Sequence, residues 1–303
     1  MTHAKPLAQY MQEVAQRVEM ELDRLLPSGQ TQPGIIHEAM RYSACNGGKR
    51  LRAMLTLEAA GLLHGNGEAA LPLAAAIEMI HAYSLIHDDL PCMDDDDYRR
   101  GKPTNHKVFG EGIAVLAGDA LLTQAFVVIG RLPELTGISA ALTVQVLAEV
   151  ATAIGSTGLV GGQVADLQAE GADPGDNAFA MLQYIHTHKT GALFRCSLRT
   201  GGLLGGLTPA QLVAVDEYAE QFGLAFQITD DVLDQIGSAE ALGKAVGSDD
   251  RSRKLTYPRI FGLARSQQMA REAVEKAQTA LEPFGSHAAR LIELAQFIVE
   301  RDH

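Results

Sequence analysis

The chain has 303 residues, with 37 acidic and 25 basic side chains, which gives a formal net charge of −12 when histidine is neutral. This surplus of negative charge argues against nonspecific binding of nucleic acid, which depends on clustered lysine and arginine. Hydrophobic residues make up 47% of the sequence, aromatic residues only 5%, and tryptophan is absent. The expected core is therefore mainly aliphatic and built from good helix formers.

The cysteines and the apolar segments indicate the setting of the protein. Cys45, Cys92 and Cys196 are too few and too scattered for a disulfide framework or a C-x-x-C metal site, so a reducing, cytoplasmic location is expected. Residues 1–11 lack the cationic and apolar pattern of a secretion signal. The most apolar stretches, 71–86 and 138–150, fall short of about 18 uninterrupted residues, so no membrane span is expected.

Apolar residues recur at helical spacing along most of the chain, and alternating β-type runs are missing. Two clear stripes are Leu7, Met11, Val14, Val18 and Leu22, and Leu212, Val215, Tyr218, Phe222 and Phe226. No repeat, low-complexity tract or interdomain linker is visible. The sequence predicts one large all-α domain, 1–303, folded as a helical bundle.

Six carboxylates lie within the ten positions 88–97, at the end of an apolar helix predicted over 71–89. They are Asp88, Asp89, Asp94, Asp95, Asp96 and Asp97. A run of acids is often just a solvated loop. Like charges at a helix C-terminus, where the dipole is already negative, are costly unless a cation is present. A cation site is therefore the stronger interpretation of this segment.

A second acidic cluster, Asp230, Asp231 and Asp234, lies at the end of the apolar helix predicted over 212–226. The i, i+4 spacing places Asp230 and Asp234 on one helix face, and Gln227 joins them. Oxygen ligands without a companion histidine or cysteine favour Mg²⁺, which usually shares its coordination shell with substrate phosphates. The two clusters together predict a diphosphate ligand bound through Mg²⁺.

Basic residues that could bind such a diphosphate accompany the acids. They are Lys49, Arg50 and Arg52 in the Gly47–Arg52 segment, then Arg99 and Arg100, and the single lysines Lys189, Lys244 and Lys254. The glycines before Lys49 do not complete a nucleotide P-loop. His81 lies seven residues before Asp88, about 20° away around the helix. It is either a hydrogen-bonded core residue or part of the site.

These motifs resemble those of the short-chain trans-prenyltransferases, the isoprenyl diphosphate synthases, and among them the bacterial farnesyl diphosphate synthases. The resemblance runs over 34–262. It is carried by the Gly47–Arg52 segment, by 81–105 with its D-D-x-x-x-x-D motif, by Gly161-Gly162-Gln163, by Lys189-Thr190-Gly191, and by the F-Q-x-x-D-D-x-x-D motif ending at Asp234. It implies an all-α bundle around a deep central cavity, usually a homodimer.

The resemblance also implies roles for individual residues. Asp88, Asp89, Asp94, Asp230, Asp231 and Asp234 would hold three Mg²⁺ ions on an allylic diphosphate, which Arg99, Lys189, Thr190, Gln227, Lys244 and Lys254 would contact. Lys49, Arg52, His81 and Arg100 would bind isopentenyl diphosphate. The catalytic set would be Asp88, Asp89, Asp94, Asp230, Asp231 and Lys189. The expected reaction ionises the allylic diphosphate, adds isopentenyl diphosphate to the carbocation and releases pyrophosphate.

Product length would depend on the residues below the first aspartates. In the family, an aromatic residue five positions before the first aspartate limits the product to fifteen carbons, and here that residue is Tyr83. A helical wheel instead places Ser84 about 40° and Tyr83 about 140° from Asp88. Farnesyl diphosphate is the expected product. Geranylgeranyl or geranyl diphosphate synthase is the alternative, and a class I terpene cyclase or a noncatalytic prenyltransferase subunit is a more distant one.

Overall fold

The computed structural model describes residues 5–64, 67–169, 175–236 and 255–301, and these form a bundle of α-helices, which confirms the predicted all-α class. Lys244 and Lys254 lie outside the described residues. The α-helices are α1 (Leu7–Leu25), α2 (Gly34–Ala44), α3 (Leu51–Gly61), α4 (Leu71–Asp88), α5 (Asn105–Phe109), α6 (Glu111–Gly130), α7 (Leu132–Thr136), α8 (Ala140–Ile154), α9 (Leu159–Ala169), α10 (Ala178–Ile185), α11 (Ala192–Leu204), α12 (Pro209–Ile236), α13 (Tyr257–Phe261), α14 (Leu263–Ala280) and α15 (Ala289–Glu300).

Short irregular pieces join these helices. A π-helical segment, His186–Gly191, connects α10 to α11, and 3₁₀ turns cover Glu68–Ala70, Gly175–Asn177 and Glu282–Ala288. A small antiparallel hairpin pairs β1 (Tyr98–Arg99) with β2 (Lys102–Pro103). The sequence did not predict this hairpin, because two-residue strands are too short to show alternation.

Helix α4 lies in the middle of the bundle and packs against α1, α2, α3, α6 and α11. It is apolar around most of its circumference, which is the pattern of a helix buried on all sides. Its C-terminal end at Asp88 therefore lies within the bundle, and the first acidic residues, Asp88 and Asp89, are at least partly enclosed by the surrounding helices.

Helix α3 approaches α11 closely because α11 has glycines at the contact. A Cβ atom on Gly201 would lie 2.2 Å from the backbone oxygen of Thr56, and one on Gly205 would lie 2.6 Å from that of Ala60. Neither distance is sterically possible, so glycine at both positions sets the spacing of the two helices. These contacts lie at the middle and near the C-terminal end of α3, the helix that carries Arg52 in its first turn.

Helix α12 extends beyond its predicted end. The sequence placed the second acidic cluster at the end of a helix over 212–226; the helix continues to Ile236, so Asp230, Asp231 and Asp234 lie within its last turns. The acidic residues do not stop the helix because its other face is still buried against the core: Ile228 and Val232 are at most 6% exposed. The backbone of α12 thus holds the three carboxylates at fixed angles.

Within the described part of the chain, three segments are long and apolar enough to cross a membrane by length and composition alone: Glu68–Asp88, Glu111–Gly130 and Ala140–Ala169. These segments contain isolated polar residues, so the expectation of no membrane span, which rested on uninterrupted apolar runs, stays a prediction. The first segment is 78% buried inside the bundle, whereas the other two are 39% and 28% buried. Burial in the core explains the apolar character of the first segment, but not that of α6 or α8.

Candidate active site

The first acidic cluster starts where α4 ends and the chain turns back on itself. The backbone amide of Asp94 donates to the carbonyl oxygen of Asp88 at 2.9 Å, so the first and last aspartates of the motif are brought together. Burial raises the pKa of Asp88 to about 6; the negative charges of Asp94 and Asp89 act in the same direction, and the positive charges of Lys189 and Arg99 oppose them. The folded protein thus disfavours the charge of Asp88, mainly because the carboxylate is removed from water.

Asp89 is placed differently from Asp88. Its carboxylate is 3% exposed and accepts from Arg99, with Nε at 2.7 Å and Nη2 at 2.5 Å from Oδ1. Burial raises the pKa of Asp89, and the hydrogen bond from Arg99 opposes that rise. The structure therefore shows Asp89, predicted as a metal ligand, as the partner that orients Arg99.

The β1–β2 hairpin positions Arg99 and Arg100. Arg100 and Gly101 both have positive φ angles, 53° and 74°, as a tight turn between two strands requires. Arg100 donates to the carbonyl oxygen of Gly47 at 2.6 Å. A Cβ on Gly48 would lie 2.5 Å from the Arg100 guanidinium, so the second glycine of the Gly47–Arg52 segment makes room for this arginine.

Within the Gly47–Arg52 segment, Arg50 and Lys49 have different surroundings. Arg50 turns inward: its guanidinium donates to the Ala44 carbonyl at 2.8 Å and lies 3.4 Å from the buried carboxylate of Glu78 on α4. It therefore holds the segment to the core. Lys49 lies with Nζ 5.5 Å from the centre of the Phe297 ring, and burial, followed by the nearby Arg301, lowers its pKa.

His81 lies at the centre of a cluster of arginines. Its Nε2 atom lies 3.2 Å from Nη1 of Arg52. Burial lowers the pKa of His81 well below its usual value, and the positive charges around it add to the effect. The charges come from Arg52, Arg100, Arg99 and Arg50. The sequence left the position of His81 open between core and site, and the structure places it among the predicted substrate cations.

The surroundings of Arg52 disfavour its positive charge. Burial lowers its pKa to about 10, and Arg100 acts in the same direction. Its guanidinium packs over the ring of Phe194, 4.6 Å from the ring centre, and its Nε atom has no hydrogen-bond partner among the described residues. A buried, incompletely paired guanidinium beside a neutral histidine favours an anionic ligand with several oxygen atoms.

Two aspartates of the second acidic cluster bind residues from distant parts of the chain. Asp230 forms an ion pair with Arg301, whose guanidinium also packs 4.3 Å from the centre of the Phe226 ring. Asp231 accepts from the backbone amide of Tyr257 at 2.8 Å and so fixes the start of α13. Asp234 is 6% exposed. Sequence reasoning missed Arg301, since no motif marks an arginine near the end of α15.

Lys189 and the glycine motif at 161–163 form one structural unit. Lys189 donates to the Asp166 carboxylate on α9 at 2.6 Å, and its charge reaches Asp88. A Cβ on Gly162 would lie 2.1 Å from the backbone nitrogen of Lys189. Glycine at 162 therefore lets α9 touch the π-helical segment that carries Lys189 and Thr190. Gln227 lies one turn before Asp230 on α12.

Tyr83 and Ser84 have different surroundings on α4. Tyr83 is 6% exposed, with its ring edge-on to His87 at 5.7 Å between ring centres, and burial raises its pKa to about 12, with the negative charge of Asp88 adding to the rise. Ser84 donates to the carbonyl oxygen of His81 at 3.0 Å, a bond within the helix. Tyr83 is therefore the bulkier and more enclosed of the two.

A helical bundle that holds two acidic helix ends beside a buried arginine pocket is the charge pattern of an enzyme for diphosphate esters. Residues 33–288 match the polyprenyl synthetase family, and the chain belongs to it. The chain is a short-chain trans-prenyltransferase, which confirms the resemblance drawn from its motifs.

Individual relatives agree with this assignment over nearly the whole chain. A geranylgeranyl diphosphate synthase of Cyanophora paradoxa is 46% identical over 98% of this chain and 97% of its own length. A chloroplastic geranylgeranyl pyrophosphate synthase of Capsicum annuum is 47% identical over 97% of this chain and 78% of its own length. The solved structure of an FPP/GFPP synthase from Zymomonas mobilis superposes with a TM-score of 0.85 at 38% identity, covering 97% of this chain and 98% of that one.

Proposed function

We propose that the protein condenses isopentenyl diphosphate with an allylic diphosphate, dimethylallyl or geranyl, and releases pyrophosphate. The observation that carries this proposal is the contrast between two neighbouring regions of the site. Asp88 is partly buried, and this burial raises its pKa to about 6, with the negative charges of Asp94 and Asp89 adding to the rise. Arg52 lies beside His81, burial lowers its pKa to about 10, and its Nε atom has no hydrogen-bond partner among the described residues. One region calls for a cation and the other for a multiply charged anion, and Mg²⁺ with diphosphate supplies both.

The donor set fits Mg²⁺. Asp88 and Asp94 at the first cluster and Asp230 at the second offer only carboxylate oxygens, which suit a hard cation. Asp234, on the same helix face, and the adjacent Asp231 would support Asp230. Bound Mg²⁺ would neutralise the negative charge that develops on the departing pyrophosphate. The family resemblance implies three ions, which the six aspartates of the two clusters would hold together with the diphosphate oxygens.

The side chains of the protein would divide the two substrates between them. Lys189, Arg99, Thr190 and Gln227, which lie near the aspartates, would bind the allylic diphosphate. Lys49, Arg52, Arg100 and His81 would bind isopentenyl diphosphate. Because His81 is surrounded by positive charge and stays neutral, it can donate to a phosphate oxygen without adding to the repulsion among the arginines. The aliphatic core around these groups would exclude water from the carbocation.

The activity is tested with purified protein, Mg²⁺, isopentenyl diphosphate and dimethylallyl or geranyl diphosphate, with chromatography of the products. We expect Asp88→Ala and Asp230→Ala to lower turnover by orders of magnitude while circular dichroism shows an intact fold. Glu134→Gln, which removes an exposed charge on α7, is the control and should keep full activity. Full turnover in either aspartate variant would contradict the proposal.

For the product, we infer geranylgeranyl diphosphate, since this is the compound named for the relatives from Cyanophora paradoxa and Capsicum annuum. Farnesyl diphosphate is the second candidate, and the observation that favours it is the buried ring of Tyr83, about 7.5 Å along the α4 axis from Asp88. Product length in the assay above distinguishes them. If Tyr83 limits the chain, Tyr83→Ala lengthens the product and Ser84→Ala, on the same helix, leaves it unchanged.

We propose that the protein is a homodimer whose interface includes α6 and α8. Leu116 and Val127 on α6 and Val144 on α8 are 54%, 45% and 64% exposed, and these helices are only partly buried in one copy. A second copy would cover these apolar side chains. Light scattering should give twice the chain mass, and Leu116→Lys should give the single-chain mass. A monomeric wild-type protein, or sedimentation of the protein with liposomes, would contradict this arrangement.

We also propose that the chain works in the cytoplasm as a single domain. The cysteines support the location, since Cys45 and Cys92 are free and exposed and Cys196 is free and buried. Fractionation of cells that express the protein tests the location, and limited proteolysis tests the domain.

A further inference from the structure

The acidic segment contains a second group of potential ligands that the proposed chemistry does not use. Carboxylate oxygens of Asp95 and Asp97 and a ring nitrogen of His106 all lie within 4.8 Å of one another. Among the described residues, these three form a group of histidine and acidic side chains close enough to share one ion. Asp95 and Asp97 are exposed, and His106, on α5, is 6% exposed.

The hydrogen bonds around His106 leave one ring nitrogen available. The hydroxyl of Thr104 donates to the carbonyl oxygen of Asp96 at 2.8 Å, so its oxygen can accept. Nδ1 of His106 lies 3.2 Å from that oxygen. With the Thr104 proton directed at Asp96, we assign the ring proton to Nδ1, which donates to Thr104. This leaves Nε2 as the unprotonated nitrogen. Nε2 is buried and has no hydrogen-bond partner among the described residues.

This arrangement is typical of a histidine that binds a metal. Metal-binding histidines generally donate their other ring N–H to a fixed acceptor, which sets the tautomer and the orientation of the ring. A buried nitrogen lone pair without a partner is otherwise unfavourable, because it has lost water and gained nothing in exchange. The backbone around Thr104 supports the geometry, since its amide also donates to the carbonyl oxygen of Asp97 at 3.0 Å.

We propose that Asp95, Asp97 and His106 bind a divalent transition-metal ion at a site separate from the aspartates that serve the diphosphate. One imidazole and two carboxylates favour Zn²⁺, Co²⁺ or Mn²⁺ over Mg²⁺, which prefers oxygen ligands alone. Lys107 pairs with Asp97 at 2.6 Å and is the charge that the ion must displace or share.

The consequence of binding lies in the loop that joins the two halves of the first cluster. Asp94 directly precedes Asp95, and Arg99 lies two residues after Asp97. An ion that ties Asp95 and Asp97 to α5 would hold this loop at both ends. It would thereby stiffen the backbone that positions Asp94 and Arg99, without contact with either substrate.

Titration calorimetry with Zn²⁺ and absorption spectroscopy with Co²⁺ test the site in the full chain. The background is a double variant, Asp88→Asn with Asp230→Asn, which removes a ligand from each cluster that serves the diphosphate. We expect this background to retain one equivalent of Zn²⁺ and a Co²⁺ spectrum of nitrogen-containing coordination. Adding His106→Gln or Asp97→Asn should weaken binding about a hundredfold, and Thr104→Val about tenfold.

The controls separate a site from general attraction to acids and from misfolding. Asp119→Asn removes the exposed carboxylate that lies 4.0 Å from His87, another histidine–carboxylate pair, and should leave the affinity unchanged. Asp97 is exposed, so its variant tests the site even if His106→Gln does not fold. Absence of stoichiometric binding in the double variant, or equal affinity with and without Asp97→Asn, would overturn the proposal.

Discussion

Asp88→Asn should stabilise the metal-free protein, although the proposed function predicts that it lowers turnover. The carboxylate is partly buried, and the shift of its pKa from 3.8 to about 6 measures how much the folded state disfavours its charge. At about 1.4 kcal/mol per pKa unit, ionised Asp88 costs at most about 3 kcal/mol. Asparagine keeps the shape and removes this cost. For a chain of this length we expect a rise in melting temperature of up to about 5 °C at pH 8.

The sign of the pH dependence follows from linkage. Because the pKa of Asp88 is raised in the folded state, the folded protein holds the proton more tightly than the unfolded chain. The contribution of protonated Asp88 to stability is therefore fully present below pH 3.8 and is lost as the pH rises through about 6. The stability gap between variant and wild type should be largest at pH 8 and about half as large at pH 5.

The assay is thermal or urea unfolding of both proteins in EDTA at the two pH values. Other groups titrate in both proteins, so their effects cancel in the difference. Glu134→Gln, an exposed carboxylate, should change stability by less than about 0.5 kcal/mol at either pH. If Asp88→Asn lowers the melting temperature at pH 8, or if its gap does not change with pH, then burial of this charge is not the source of the raised pKa.

Three further variants test contacts of the site. Arg99→Gln should lower the free energy of unfolding by about 3 kcal/mol and raise the pKa of Asp89 further, as measured by urea unfolding between pH 5 and 8, because Asp89 would stay buried without its partner. Arg301→Gln should raise the KM for isopentenyl diphosphate about tenfold with a smaller change in kcat, since it removes a buried charge beside Lys49. Gly201→Ala should destabilise more than Gly202→Ala, measured by melting temperature, since its methyl group would meet a backbone oxygen at 2.2 Å and that of the control would meet a flexible leucine methyl group at 2.7 Å.

The sequence predicted the helical class and the location of the acidic clusters because both depend on local pattern. The repeat of apolar residues identifies α4 and α12, and the aspartates follow from their position on those helices. The same pattern could not give the partner of Asp89, since Arg99 reaches it only through a turn in which Arg100 and Gly101 adopt positive φ. Side-chain pairing across a turn depends on backbone angles that composition does not determine.

Contacts between distant segments were also beyond local reasoning. Arg301 approaches Asp230 across 71 residues, and Arg50 approaches Glu78 across 28. Arg50 and Arg52 are two residues apart and look equivalent in the sequence, yet one is fixed to a buried glutamate and the other lies beside His81. The difference arises because Arg50 adopts a left-handed backbone, with φ of 50°, at the start of α3.

Like charges repel one another in each of the two regions of the site. We therefore expect Mg²⁺ and a diphosphate to bind cooperatively, because each ligand relieves the repulsion in one region. The carboxylates at Asp88 repel one another, and the arginines around His81 do the same. A ligand that binds only the folded state stabilises it by RT ln(1 + [L]/Kd). Mg²⁺ would neutralise the carboxylates and a diphosphate would neutralise the arginines. We therefore expect Mg²⁺ and pyrophosphate together to raise the melting temperature by more than the sum of their separate effects.

Arg52→Gln should reduce that cooperativity, while Glu134→Gln should keep it. The net charge of −12 does not oppose binding of an anion, because the acids at the site act through a cation and the arginines act directly. If the separate effects of Mg²⁺ and pyrophosphate simply add, then the acidic and basic regions do not share one ligand, and the charge pattern on which the proposed function rests would need another explanation.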